Sequence, residues 1–72
     1  MLAQNVAAEV RRAISRGEFS PGQKLNEVAL AERFGVSRNT LREAFAMLTS
    51  EGLCERLPNR GVFLATPSPE FV

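Results

Sequence analysis

Arg38 and Arg42 stand four residues apart with Asn39 and Thr40 between them, directly after Phe34-Gly35-Val36-Ser37. A guanidinium suits bidentate recognition of phosphate or of the two acceptors on a guanine edge, and the amide and hydroxyls of Asn39, Thr40 and Ser37 add donors beside it. Bond-making chemistry is poorly served. The chain has no His and no Asp, its glutamates are scattered among basic residues, and Cys54 is the single cysteine. The usual nucleophile–base pairs, metal clusters, cysteine-based zinc sites and internal disulfides cannot be assembled from that set. The composition argues against an enzyme, and neither a cofactor nor a metal is expected.

The arginines need an element to carry them. An apolar-periodic run from Glu27 to Phe34, capped by Asn26 and with Glu27 favourable in its first turn, reads as a short helix stopped at Gly35. Glycine takes the left-handed conformation that ends a helix most readily. Val36 then supplies an apolar plug, and Ser37 can cap a second helix running from Arg38 to about Glu51, terminated by Gly52. At about 100° per residue, Leu41, Ala44, Phe45 and Leu48 form one stripe of it, while Asn39, Arg42 and Ala46 point away and Arg38 lies at the flank. Beyond Arg42 the outward side continues as Ala46, Thr49 and Ser50, with nothing bulky to hold a partner off. A short helix, a Gly turn and a second helix with polar N-terminal side chains make the helix-turn-helix pattern, whose second helix enters the major groove of DNA. A plain helical hairpin with solvated arginines shares that turn, so the flanking segments matter.

Before the pair, Leu2, Val6, Val10, Ala13 and Ile14 recur at helical spacing up to about Arg16, with Gln4, Arg11 and Arg12 facing out and Gly17 as the stop. Arg12 and Arg16 suit the negative end of that helix dipole. Pro21-Gly22 marks a turn anchored by Phe19, and Lys24-Leu25 reads as a short extended piece. After the pair, Leu53–Leu57 and Val62–Ala65 read as two strands around a Pro58-Asn59-Arg60-Gly61 turn. A two-stranded hairpin is marginal alone, so it must pack on the helices through Leu53, Leu57, Val62 and Leu64 or their alternating neighbours. Its tip places Arg60 beside Gly61, suited to phosphate or the minor groove. Cys54 is expected to be buried in the first strand as a small hydrophobe. The Pro-rich 66–72 stretch reads as a linker.

Seventy-two residues make one domain. No stretch approaches the roughly 20 apolar residues of a membrane span and no signal peptide is visible, so the expected location is the cytoplasm. The net charge of +1 is too small to argue nucleic-acid binding by itself. Distribution matters more: Glu9, Glu18, Glu27 and Glu32 precede the turn and Arg38, Arg42, Arg56 and Arg60 follow it, so a basic face can exist on a nearly neutral molecule.

Pro21-Gly22 before Leu25, Leu30-Ala31-Glu32-Arg33-Phe34-Gly35-Val36-Ser37-Arg38, Leu41-Arg42-Glu43-Ala44, Glu51-Gly52-Leu53 and Pro58-Asn59-Arg60-Gly61-Val62-Phe63 together resemble the N-terminal winged helix-turn-helix domain of GntR-family bacterial transcription regulators, most closely the FadR-type branch. The resemblance covers about residues 2 to 65. It implies a mainly α fold, three helices plus a C-terminal two-stranded β-hairpin wing, that binds a palindromic double-stranded DNA operator. It further implies homodimerisation through a C-terminal domain that also takes the small-molecule effector, reached through residues 66–72. Carried over residue by residue, Arg38 and Arg42 read bases, Ser37, Asn39 and Thr40 contact phosphate and groove at the helix start, and Asn59, Arg60 and Gly61 form the wing tip. The chain departs from the pattern at Val28, where some relatives carry a basic DNA-holding residue that Lys24 or Arg33 is left to replace. Thr40 stands where many have Pro. The rival readings are a winged-helix adaptor for proteins and an RNA binder. The exposed side of the second motif helix lacks the aromatic anchors of a protein hot spot, and no aromatic platform offers itself to single-stranded bases.

Overall fold

The structure, a computed structural model, describes residues 1–66. The elements follow one another as α1 Ala3–Ser15, α2 Glu27–Phe34, α3 Arg38–Ser50, β1 Cys54–Leu57 and β2 Gly61–Leu64. Pro67 to Val72, most of the expected linker, lies outside the described residues.

The local signals act where the sequence puts them. Asn26 Oδ1 accepts from the Ala29 amide at 2.9 Å, and Ser37 Oγ accepts from the Thr40 amide at 3.1 Å, each removing one unsatisfied donor from a helix start. Gly35 adopts φ 66°, ψ 36°, which lets the Val36 amide reach the Ala31 carbonyl and the Gly35 amide that of Glu32. The same pair of bonds closes α1 at Gly17 and α3 at Gly52. All three helices are thus shut off by their own chain.

The core forms around α3. Leu41, Ala44, Phe45 and Leu48 are all buried, and against them lie Val6, Ala7 and Val10 of α1, Leu30 and Ala31 of α2, Leu25 and Cys54. Leu2 was expected in the α1 stripe but is 65% exposed. It precedes the first helical turn, so no neighbouring element covers it, and Ala7 fills the α1 stripe instead.

β1 and β2 pair antiparallel with Cys54 opposite Leu64 and Arg56 opposite Val62. Alternation puts Cys54 and Leu64 on the face toward the helices, where both are buried, and leaves Leu57 on the other, 40% exposed. Of the alternatives for hairpin packing, the register therefore takes Cys54 in place of Leu57. The hairpin is also less isolated than two strands suggest. The Gly22 amide donates to Leu64, Leu64 to Gln23, and Leu25 to Val62, so the extended piece at Lys24-Leu25 lines the free edge of β2 and buries Leu25. Burial also pushes the Cys54 thiol up to about 11, as does the Glu51 charge, which leaves it an unreactive hydrophobe.

Ion pairs brace the outside. Arg11 grips Glu51 through Nε and Nη2 at 3.0 and 2.8 Å, joining α1 to the end of α3. Glu18 takes both Arg33 and Arg16, tying α2 to the turn after α1, and Arg33 also lies 5.4 Å over the Phe34 ring.

Leu48→Ala, at a fully buried position, is expected to cost about 2–5 kcal/mol, as much as the whole stability of a domain this small. Urea unfolding followed by circular dichroism should show a large unfolded fraction without denaturant. Hydrogen bonding from Arg33, supported by Arg16, holds the Glu18 carboxyl below its ordinary 4.5. A depressed folded-state value means that the stabilisation is present above the unfolded value and is lost as the pH falls through the folded one. Glu18→Gln should therefore lower the melting temperature at neutral pH, with the gap to wild type closing progressively below pH 4.5.

Candidate nucleic-acid interface

The side of α3 turned away from the core opens onto a groove bounded by the start of α2 and by the hairpin. Lys24, Arg38, Arg42, Asn59 and Gly61 of the expected site line it, together with Glu27, Val28, Ala46, Thr49 and Arg56. Two constraints place these groups. The buried stripe of α3 fixes the helix's rotation, so Arg38 and Arg42 must point outward, with side chains 60% and 61% exposed. The pairing of Lys24 with Phe63 then sets Lys24 across the hairpin base.

Gly61, at φ 115°, shows how tight that crossing is. A Cβ there would stand 3.0 Å from Lys24 Cε, so the lysine stem lies over the glycine and carries its ammonium to the turn end of the wing. Asn59 takes φ 63° at the third position of the turn closed by Arg60 N–H to the Leu57 carbonyl, and Pro58 presets the second. Arg60 is left exposed at the tip, outside the groove lining.

At the start of α3 the hydroxyls are not all free. Ser37 Oγ accepts from the Thr40 amide and donates to Thr40 Oγ1 at 3.0 Å, which uses its only proton. Thr40 keeps its own hydroxyl proton and Asn39 its exposed amide. The backbone amides of Arg38 and Asn39 sit in the first turn, where the helix dipole favours an anion. Ser37 therefore organises this end through the cap, while Asn39 and Thr40 carry the spare donors.

Electrostatics divides the cations into two sets. Arg11, Arg12, Arg16, Arg33, Arg38 and Arg42 each have a carboxylate partner. Among the described residues Lys24, Arg56 and Arg60 have none, and all three sit on the hairpin or the strand piece beside it. Of the two candidates to replace the basic residue lacking at Val28, Arg33 is committed to Glu18 while Lys24 faces the groove.

Two residues beyond those singled out by sequence pattern also line the groove. Arg56 lies on the same strand face as Cys54, so period-two counting from a buried Cys54 points it toward the helices and into the groove. By sequence Glu27 is a first-turn helix residue of the acidic half. The fold instead sets its carboxylate between the two arginines of α3, with Arg38 Nε donating to Oε1 at 2.8 Å and Arg42 Nε to Oε2 at 3.0 Å. Hydrogen bonds from Arg42 and then Arg38 hold its carboxyl below the usual range. No local sequence pattern signals that contact, because it joins residues 11 and 15 positions apart across a turn.

The chain is similar to known proteins over nearly all of its described length. The family model for bacterial regulatory proteins of the gntR family matches residues 2–64. The transcriptional repressor NagR of Bacillus subtilis is 39% identical over 90% of this chain and 27% of its own length. The mannosyl-D-glycerate transport/metabolism system repressor MngR of Escherichia coli is 38% identical over 88% of this chain and 27% of its own. The chain thus spans about a quarter of the length of these curated relatives. Among solved structures, AraR(DBD) in complex with operator ORR3 superposes with a TM-score of 0.78 at 38% identity, covering 88% of this chain and 77% of that one. The family match spans all three helices and the hairpin, and the chain belongs to the gntR family of bacterial regulatory proteins.

Proposed function

We propose that this domain binds duplex DNA sequence-specifically as the operator-reading part of a transcription regulator, with α3 in the major groove and the hairpin on the backbone or in the minor groove. One observation carries the reading. Arg38 and Arg42 project together from the exposed side of a helix whose opposite side is the centre of the core, so they can enter a groove without disturbing the fold. The similar AraR domain, solved in complex with its operator, supports duplex DNA as the partner here.

The roles follow from chemistry. Arg38 and Arg42 read base edges, where a guanidinium meeting guanine O6 and N7 is worth about 1–3 kcal/mol. Asn39, Thr40 and the first amides of α3 hold phosphate at the helix start, with Ser37 setting their geometry. Lys24, Asn59, Arg60 and Gly61 form the wing contact, and Arg56 joins them. In the whole protein, residues 66–72 lead to a C-terminal effector-binding and dimerising domain, so that two copies of this domain meet the halves of a palindromic operator. A lone domain then binds weakly, and its action is to repress or activate by occupying the site.

Arg42→Ala should lose roughly 10- to 100-fold on a duplex selected by the domain from a random pool while changing scrambled duplex little. Arg60→Ala should weaken both duplexes alike and lower the salt slope by about one. Titrations on both duplexes at several salt concentrations read this directly, and equal losses for both mutants on both duplexes would contradict the assignment.

A further inference from the structure

We propose that Glu27 is a positioning and specificity-determining residue, a carboxylate that sets both recognition arginines by their Nε atoms and reduces their attraction for phosphate. The inference rests on the assignment of Arg38 and Arg42 as base readers and deepens it. Each guanidinium carries five N–H donors and spends one on Glu27. Among the described residues the Nη groups of both are unpartnered, so the forked ends that can bracket two acceptors remain available.

The carboxylate answers two problems of placing two arginines one turn apart. Side by side at i and i+4, like charges repel and their long stems wander among rotamers. Glu27, with a side chain only 25% exposed against 60% and 61% for the arginines, is the most buried of the three and holds both by Nε. The second problem is selectivity. Two bare guanidiniums attract any phosphate backbone, since that attraction carries no sequence information. Two arginines and one glutamate sum to a single positive charge, while the Nη donors of both arginines stay available for base edges.

The division of cations fits this scheme. Lys24, Arg56 and Arg60, which lack carboxylate partners among the described residues, lie where phosphates would be held. Arg38 and Arg42, which share one, lie where bases would be read. Glu27 is contributed by α2, so the α2–α3 turn does more than present a helix: it sets the acid against the bases that need it.

The test uses the 72-residue chain with Glu27→Gln, Glu27→Ala and Arg42→Ala, each checked by thermal melting, on a duplex selected from a random pool by the wild-type chain and on its scrambled counterpart. Gln keeps the shape and removes the charge; Ala removes the acceptors as well. Both Glu27 variants should bind scrambled duplex about threefold more tightly, as expected for loss of one nearby negative charge. Their salt slope on it should be steeper by about one. Discrimination between the duplexes should fall roughly tenfold as the arginines lose their setting. In nitrogen-15 spectra of the free chain, the Nε–H signals of Arg38 and Arg42, protected from solvent exchange in the wild type, should lose that protection. Equal losses on both duplexes, tracking only a lowered melting temperature, would reduce Glu27 to a structural tie and overturn the proposal. Unchanged binding would overturn it too. If Arg42→Ala loses discrimination and the Glu27 variants do not, this inference alone fails; if Arg42→Ala also leaves discrimination intact, the base-reading assignment fails with it.

Discussion

One helix serves as both the middle of the core and the carrier of the exposed Arg38 and Arg42, and the rest of the molecule follows from that constraint. Leu41, Ala44, Phe45 and Leu48 are each no more than 3% exposed, so α3 can neither rotate nor slide without uncovering them. An apolar area of that size, at roughly 25 cal/mol per Å2, far exceeds any contact Arg38 or Arg42 makes with the protein. Their direction is therefore a by-product of burial elsewhere on the helix. A domain of this size has one core, and here it is built around α3.

The turn at Gly35 has the complementary task of fixing where α3 begins. Its left-handed backbone lets α2 satisfy its last carbonyls within two residues, and Ser37 caps the next helix immediately. The two helices are thus locked with Glu27 near the N-terminus of one and Arg38 and Arg42 near the N-terminus of the other. A longer connection would leave those groups free to part. The carboxylate bridge is an exposed one, worth little to stability by the usual measure of surface pairs. Its consequence is geometric.

The wing depends on the helices in turn. Two four-residue strands would not persist in water, yet here Cys54 and Leu64 reach the core, Leu25 seals it, and the Lys24 segment completes the edge of β2. Lys24 and the hairpin are consequently one unit, joined by the lysine stem lying over Gly61. Among the described residues the cations without carboxylate partners gather there, since each arginine of the helices has a glutamate beside it.

Much of this was legible in the residues. Helix spans, caps and the three glycine stops are properties of a few adjacent side chains and backbone angles, so Asn26, Gly35, Ser37 and Gly52 announce themselves without reference to anything distant. The α3 stripe is likewise periodic, and it determined which way Arg42 faces. Three matters were settled only by the packed molecule. Strand register turned Leu57 outward while Cys54 went inward as its type suggests, because a period of two cannot bury both and the leucines read equally well as the inner set. The absence of a covering element left Leu2 in solvent despite its fit to the helical pattern. The meeting of Glu27 with Arg38 and Arg42 depends on the angle at which two helices cross, which is set by how Leu30 and Ala31 seat against the core and is written in no single stretch of chain.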